Sequence, residues 1–263
     1  MTIEPWHPPW PLQGVLNVAK APEVKKPRNW MRQIVPTGYT TATLSLVGTS
    51  PLLMSSGEAD QEGELYRAYK LLADTKKKSL DDQSRLREME WKLRLYFDDK
   101  IGPYIPGKNI KEMLRSAATK WKRGEDIKRS LVVVETRIPL LYDGPRDEKG
   151  LWAAGYRYIA MVANSGMNAG RVTRCRPMFK DWSLEVDIAF DPEDLDADFL
   201  HIAVDRTRKY GLGDYRPTFG SFDIQMAIGD TVKPGAKGTA AKKRNGIEDR
   251  ANKTFVDRVM ETV

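Results

Sequence analysis

Lys108, Lys111 and Arg115 stand at steps of three and four residues behind a Pro-Gly turn, in GPYIPGKNIKEMLRSAATKWKR (102–123). That spacing puts them on one side of a helix. Ile110, Leu114, Ala117 and Trp121 make an apolar stripe, and the basic residues fall largely off it. Such a row fits a solvated surface helix or a helix held against something acidic. The chemistry it offers is neutralisation of phosphates, which releases counterions and gives salt-dependent affinity indifferent to base sequence. The turn sets the helix N-terminus, whose free amides can face phosphate, and Gly107 lets a backbone approach closely. A second basic run, RVTRCRPMFK (171–180), carries Arg171, Arg174, Arg176 and Lys180. Several of these can share a face of an extended hairpin; the alternative is a Gly-rich surface loop with solvated arginines. A third stretch, GLGDYRPTFGSFDIQM (211–226), sets Tyr215 and Phe219 beside Arg216. Aromatics next to cations can stack bases; Phe222 is expected in the core, and Arg216 is the binding candidate.

Other chemistries have little to build on. The chain has 263 residues, one cysteine (Cys175) and two histidines (His7 and His201). Disulfides within the chain and Cys-rich zinc sites are excluded, and a histidine metal centre is not expected. There is no Ser-His-Asp order, no nucleotide-type phosphate loop and no carboxylate set for two-metal chemistry. No metal and no cofactor is expected. His201 reads as structural, and Cys175 as a plain strand residue. The net charge of +7 attracts polyanions, but weakly. No stretch approaches the roughly 18 apolar residues that span a bilayer. With no signal-peptide pattern at the N-terminus, a cytoplasmic protein without membrane contact is expected.

The positioning elements read as follows. Residues 1–38 hold many prolines and Trp6, Trp10 and Trp30; they suggest an extended arm, packed on its own domain or docked on a neighbouring copy. TTATLSLV (40–47) alternates as a strand with Ala42, Leu44 and Leu46 to one side. A loop (49–63) leads to helical patterns at 64–78 and 81–99, the second with Leu86, Met89, Leu93 and Tyr96 at helical spacing. LVVVETRIPLLY (131–142) gives one or two buried strands, 143–180 reads as irregular, and SLEVDIAF (183–190) is a strand. A helix is expected from an Asp191 N-cap with Pro192 in its first position, ending at Gly211. The last strand is expected over Phe219–Met226, and a basic tail over 230–263.

Without its insertions the order is strand, helix, strand, strand, helix, strand. That describes an α+β, ferredoxin-like (RRM-like) split βαβ core. YIPGKNIKEMLRSA (104–117) resembles the signature of the RAMP superfamily, whose members build CRISPR effector complexes. The matching residues are Pro106, Gly107, Ile110, Lys111, Leu114, Arg115 and Ser116. GLGDYRPTFGSFDI (211–224) is similar to the family's Gly-rich loop, but has Pro217 and Thr218 between Arg216 and Phe219. The resemblance implies a domain over 39–229 with a helical insertion (56–100) and a thumb-like hairpin insertion (140–180). It implies a backbone subunit that binds single-stranded nucleic acid, guide RNA above all. Copies of itself and other effector subunits would be partners. Lys108, Asn109, Lys111, Arg115, Arg171, Arg174, Arg176, Lys180, Tyr215 and Arg216 would bind the strand, and Met167 would be the wedge at the thumb tip. Asp60, in the loop where RNA-cleaving members carry an aspartate, would be the catalytic residue of an endoribonuclease. A phage-type single-stranded DNA-binding or annealing protein without a guide is the other reading.

Overall fold

The computed structural model describes residues 35–163 and 170–232. Trp6, Trp10, Trp30, Met167 and the tail from 233 lie outside the described residues. In chain order the first half comprises β1 (Thr40–Gly48), β2 (Leu52–Leu53), α1 (Glu64–Asp74), α2 (Leu80–Arg94), β3 (Phe97–Asp98), β4 (Gly102–Pro106) and α3 (Gly107–Ala118). The second comprises α4 (Gly124–Ser130), β5 (Leu131–Val133), β6 (Arg137–Pro139), α5 (Glu148–Ala153), β7 (Arg157–Ala163), β8 (Arg171–Phe179), β9 (Ser183–Phe190), α6 (Ala197–Arg206) and β10 (Phe222–Thr231). The described residues are thus mixed α+β, and their strands pair antiparallel throughout.

The main sheet runs β10-β1-β9-β5. Period-two alternation explains its register. Ala42, Leu44 and Leu46 of β1 are buried and stand opposite Ile188, Val186 and Leu184 of β9. A slip of one residue would turn this whole set to solvent. The opposite face carries Thr43, whose hydroxyl donates to Asp187 Oδ1 at 2.8 Å. The apolar face is covered by α3 through Ile110, Met113, Leu114 and Ala118, and by α6 through Phe199, Leu200, Ala203 and Val204. Each fully buried Leu or Ile stabilises by about 1.5–3 kcal/mol.

Four expectations need correction. The N-cap of α6 is Asp196, which accepts from the Phe199 amide; Asp191 instead accepts from the Glu193 amide in a turn. Both are good caps by type, but burying Leu195 requires the chain to bend before it winds. The segment 143–180 is not irregular: it holds α5 and the β7–β8 hairpin, in register from Arg157↔Pro177 to Ala163↔Arg171. The last strand starts at Phe222 rather than Phe219. In α2 the deeply buried residues are Glu90 and Trp91 rather than the Leu86 stripe, and Trp91 Nε1 donates to Tyr156 O at 2.8 Å.

Candidate nucleic-acid interface

The turn into α3 is fixed by backbone crowding. A Cβ on Gly107 would lie 2.2 Å from Glu135 O, so only glycine lets the segment ahead of β6 pass this close. The Gly107 amide donates to Thr136 O at 2.9 Å. Pro106 precedes it in extended conformation, pairing with Arg137 across β4 and β6. The helix therefore starts at the mouth of a cleft of about 590 Å³ lined by Tyr104, Gly107, Lys108, Lys111, Thr136 and Arg137. A second cleft, about 440 Å³, is lined by Lys108, Lys111, Glu112, Arg115 and Lys128. Shared Lys108 and Lys111 make the two one groove along the basic side of α3.

The cations differ in how they are held. Lys108 Nζ meets Glu58 Oε1 at 2.6 Å, and Tyr104 Oη donates to Glu58 Oε2 at 2.7 Å. The Lys108 hydrogen bond holds the Glu58 carboxyl below its ordinary range despite partial burial. Burial first, then the hydrogen bond and charge of Glu58, pushes the Tyr104 phenol up to about 12. A depressed carboxylate contributes above its unfolded pKa and loses that contribution as pH falls through its folded one; this pair is open to water and contributes little. Arg137 pairs with Asp98 and lies over the Tyr104 ring at 5.3 Å. Arg115 grips Glu112 with two hydrogen bonds, at 2.6 and 2.8 Å. Lys111 has no ion-pair partner among the described residues, and burial lowers the pKa of its ammonium. Solvent-exposed pairs are worth about 0–1 kcal/mol, so a phosphate can replace Glu58 or Glu112 at small cost.

The Gly-rich loop comes down beside this helix. Gly220 has φ +70, and a Cβ there would sit 1.6 Å from Leu212 O. Leu212 N donates to Gly220 O, and Asp214 N to Leu53 O, both at 2.8 Å. Phe219 packs on Tyr158 of the hairpin at 5.1 Å, and Tyr215 and Arg216 remain exposed. Arg216 and Asn109 line one further cleft.

The hairpin cations are arranged otherwise. Glu90, 5% exposed, accepts from the Cys175 amide at 2.9 Å, from Arg176 at 3.1 Å and from Arg174 at 3.4 Å. Beyond two-residue β2, the edge of β8 has no strand partner among the described residues, and Glu90 takes the Cys175 amide. Arg176 also reaches Asp214 at 3.1 Å and is 11% exposed at its side chain. It therefore ties α2, β8 and the Gly-rich loop together. Arg171 and Lys180 are exposed, without an ion pair among the described residues. These residues line neither α3 cleft. Asp60 is exposed; its Oδ1 accepts from the Glu62 amide at 2.9 Å. It lines a cleft of about 430 Å³ that meets the α3 groove at Glu58, Tyr104 and Arg137.

Cys175 is fully buried, and burial, with Glu90 beside it, pushes its thiol up to about 11. The folded chain is therefore expected to leave Ellman's reagent unreacted at neutral pH and to release one thiol equivalent when unfolded. Rapid release from the folded chain would contradict the burial.

No family model matches the chain, and no curated protein matches it. Among solved structures it is similar to a chain of "Type III-B Cmr-beta bound to cognate target RNA", determined by cryo-electron microscopy. The TM-score is 0.47 at 12% identity, over 76% of this chain and 63% of that one. This chain thus spans less than two thirds of that one's length.

Sequence reasoning did not find Glu58, Tyr104, Thr136, Arg137 and Lys128. Tyr104 and Arg137 approach through β4–β6 pairing, which a linear pattern does not announce. Lys128 had a signal: it stands with Arg129 in the last turn of the short helix α4, which follows the main one. Among the described residues no group of three or more His, Cys, Asp or Glu could hold a metal, and no helix is long and apolar enough to cross a membrane.

Proposed function

We propose that the chain binds single-stranded nucleic acid, RNA in particular, with its phosphates along the groove of α3. The observation that carries this is Lys111, a partly desolvated, unpaired cation between Lys108 and Arg115 in a continuous groove. An anion there would regain the interaction that the ammonium lost on burial. Lys108, Lys111, Arg115, Lys128 and Arg137 supply the charge. Arg176 acts as a strut for the loop that carries Tyr215 and Arg216.

The finer fold belongs to the same reading. The order β10-β1-β9-β5, with α3 between β1 and β5 and α6 between β9 and β10, supports a ferredoxin-like split βαβ core. With the Pro106–Ser116 and 211–224 motifs, that core supports a RAMP-like backbone subunit assembling in copies along a guide RNA. Domain limits of 39–229, with α1–α2 and the β7–β8 hairpin as insertions, go with it. Arg171, Arg174 and Lys180 would then meet the strand from the hairpin, and Met167 would wedge at its tip.

The test is to express the full chain alone, purify it at moderate salt, and extract and size what it carries. Short RNA of heterogeneous sequence is the expected result. Clean protein that binds added DNA strands better than RNA would favour the guide-free alternative. Clean protein that binds neither at low salt would sink the reading. If RNA is cut, Asp60→Asn must abolish cleavage and spare binding for the nuclease role to hold.

A further inference from the structure

Resting on that reading, we propose that one nucleobase of the bound strand sits in a separate cleft, across Glu112 from the phosphate groove. This cleft, about 340 Å³, lies between the start of α3 and the Gly-rich loop. Tyr96, Met113 and Leu212, each at most 8% exposed, give it an apolar floor. Ser55, Asn109 and Arg216 stand around it, and none of their side chains makes a hydrogen bond among the described residues. The two carboxylates at the mouth are committed: Glu112 to Arg115, and Asp214 to Arg176 and the Tyr215 amide. An apolar floor with a few convergent, uncommitted polar groups is the form of a small-ligand site.

The groups fit a base with its own phosphate. The Asn109 amide presents a donor and an acceptor side by side, the complement of an adenine edge. The lone pairs that Glu112 and Asp214 keep beyond those taken by Arg115, Arg176 and the Tyr215 amide favour an exocyclic amino group and disfavour the two carbonyls of uracil. Arg216 reaches from the loop side for the phosphate of the same nucleotide. The Tyr96 ring lies 5.8 Å from the Tyr104 ring, so the floor of this cleft and a wall of the phosphate groove are two sides of one aromatic pair. The base is therefore taken out of line while the strand continues along α3.

The experiment titrates the full chain into labelled rA, rC and rU oligomers of one length, with dA and dT oligomers beside them, at several salt concentrations. The rA and rC strands are expected to bind about fivefold or more tighter than rU, and dA tighter than dT, because the cleft meets the base and not the sugar. Asn109→Ala removes these differences and leaves the salt slope unchanged. Equal binding of all oligomers, a preference confined to the ribose strands, or a preference that survives Asn109→Ala overturns the base site. The paired variant Lys111→Glu/Arg115→Glu separates the two claims. If it loses affinity while base preference is absent, the groove stands and the base site falls. If it binds as the unaltered chain does, both fall.

Discussion

Lys111→Glu combined with Arg115→Glu lowers affinity for a single-stranded RNA of ~20 nucleotides by about 100-fold or more near ~0.1 M salt. The reason is charge counting. Each phosphate contact to a single strand contributes about 0.7 to the slope of log affinity against log salt, so two lost contacts flatten it by about 1.4. Reversing the charges adds repulsion along a groove already lined by Glu58, Glu112 and Glu135. Neither residue is core: Lys111 is half-buried without a partner and Arg115 is 37% exposed at its side chain. Folding should change little, since exposed pairs contribute about 0–1 kcal/mol. Filter binding across a salt series, beside circular dichroism, checks this. Unchanged affinity and slope in a folded variant would remove α3 from the interface.

Glu90→Ala costs about 3–5 kcal/mol of stability. The carboxylate is buried and answers three donors, so its removal strands the Cys175 amide and leaves Arg176 with Asp214 alone. Leaving buried donors unpaired is the expensive part. Glu90→Gln keeps an acceptor for the amide while losing the charge, and should fall between the two. Urea unfolding, followed by release of the Cys175 thiol, measures both. A cost under about 1 kcal/mol for Glu90→Ala would mean that water reaches this network and that it holds nothing in place.

What the sequence disclosed depended on how local the cause was. β1 and β9 were readable because one face is buried and the other wet, so Leu44, Leu46, Leu184 and Val186 recur at every second position. The Ile110–Leu114 stripe of α3 followed likewise from helical period, and with it the outward set of Lys108, Lys111 and Arg115. The hairpin was expected from the basic run and the resemblance, but its first strand hid because Tyr158 to Val162 is apolar on both faces, while β8 carries arginines that serve a buried carboxylate. Glu90 could not be recognised from its neighbours: its partners stand 84 to 86 positions away. The α6 cap was misread because DPEDLD offers three aspartates, Asp191, Asp194 and Asp196, and only the burial of Leu195 favours the last of them. The same holds for the site. Its cations were visible as a row on one helix, but Glu58, Tyr104 and Arg137 join them only after β4 and β6 pair.

The central place of β1 also sets a timetable for the nascent chain. Thr43 finds Asp187 144 positions later, and Thr40 meets Thr231 across 191. The first of the described strands to leave the ribosome is thus flanked by the last two of them. At roughly 5–20 residues per second, it waits about 7–30 seconds with Leu44 and Leu46 uncovered. Closing so distant a pairing carries a large loop-entropy cost before any contact offsets it, which makes this a slow-folding topology. During that interval a chaperone that covers short apolar strands, or a second nascent copy alongside, would compete directly with β9 and β10 for the two edges of β1.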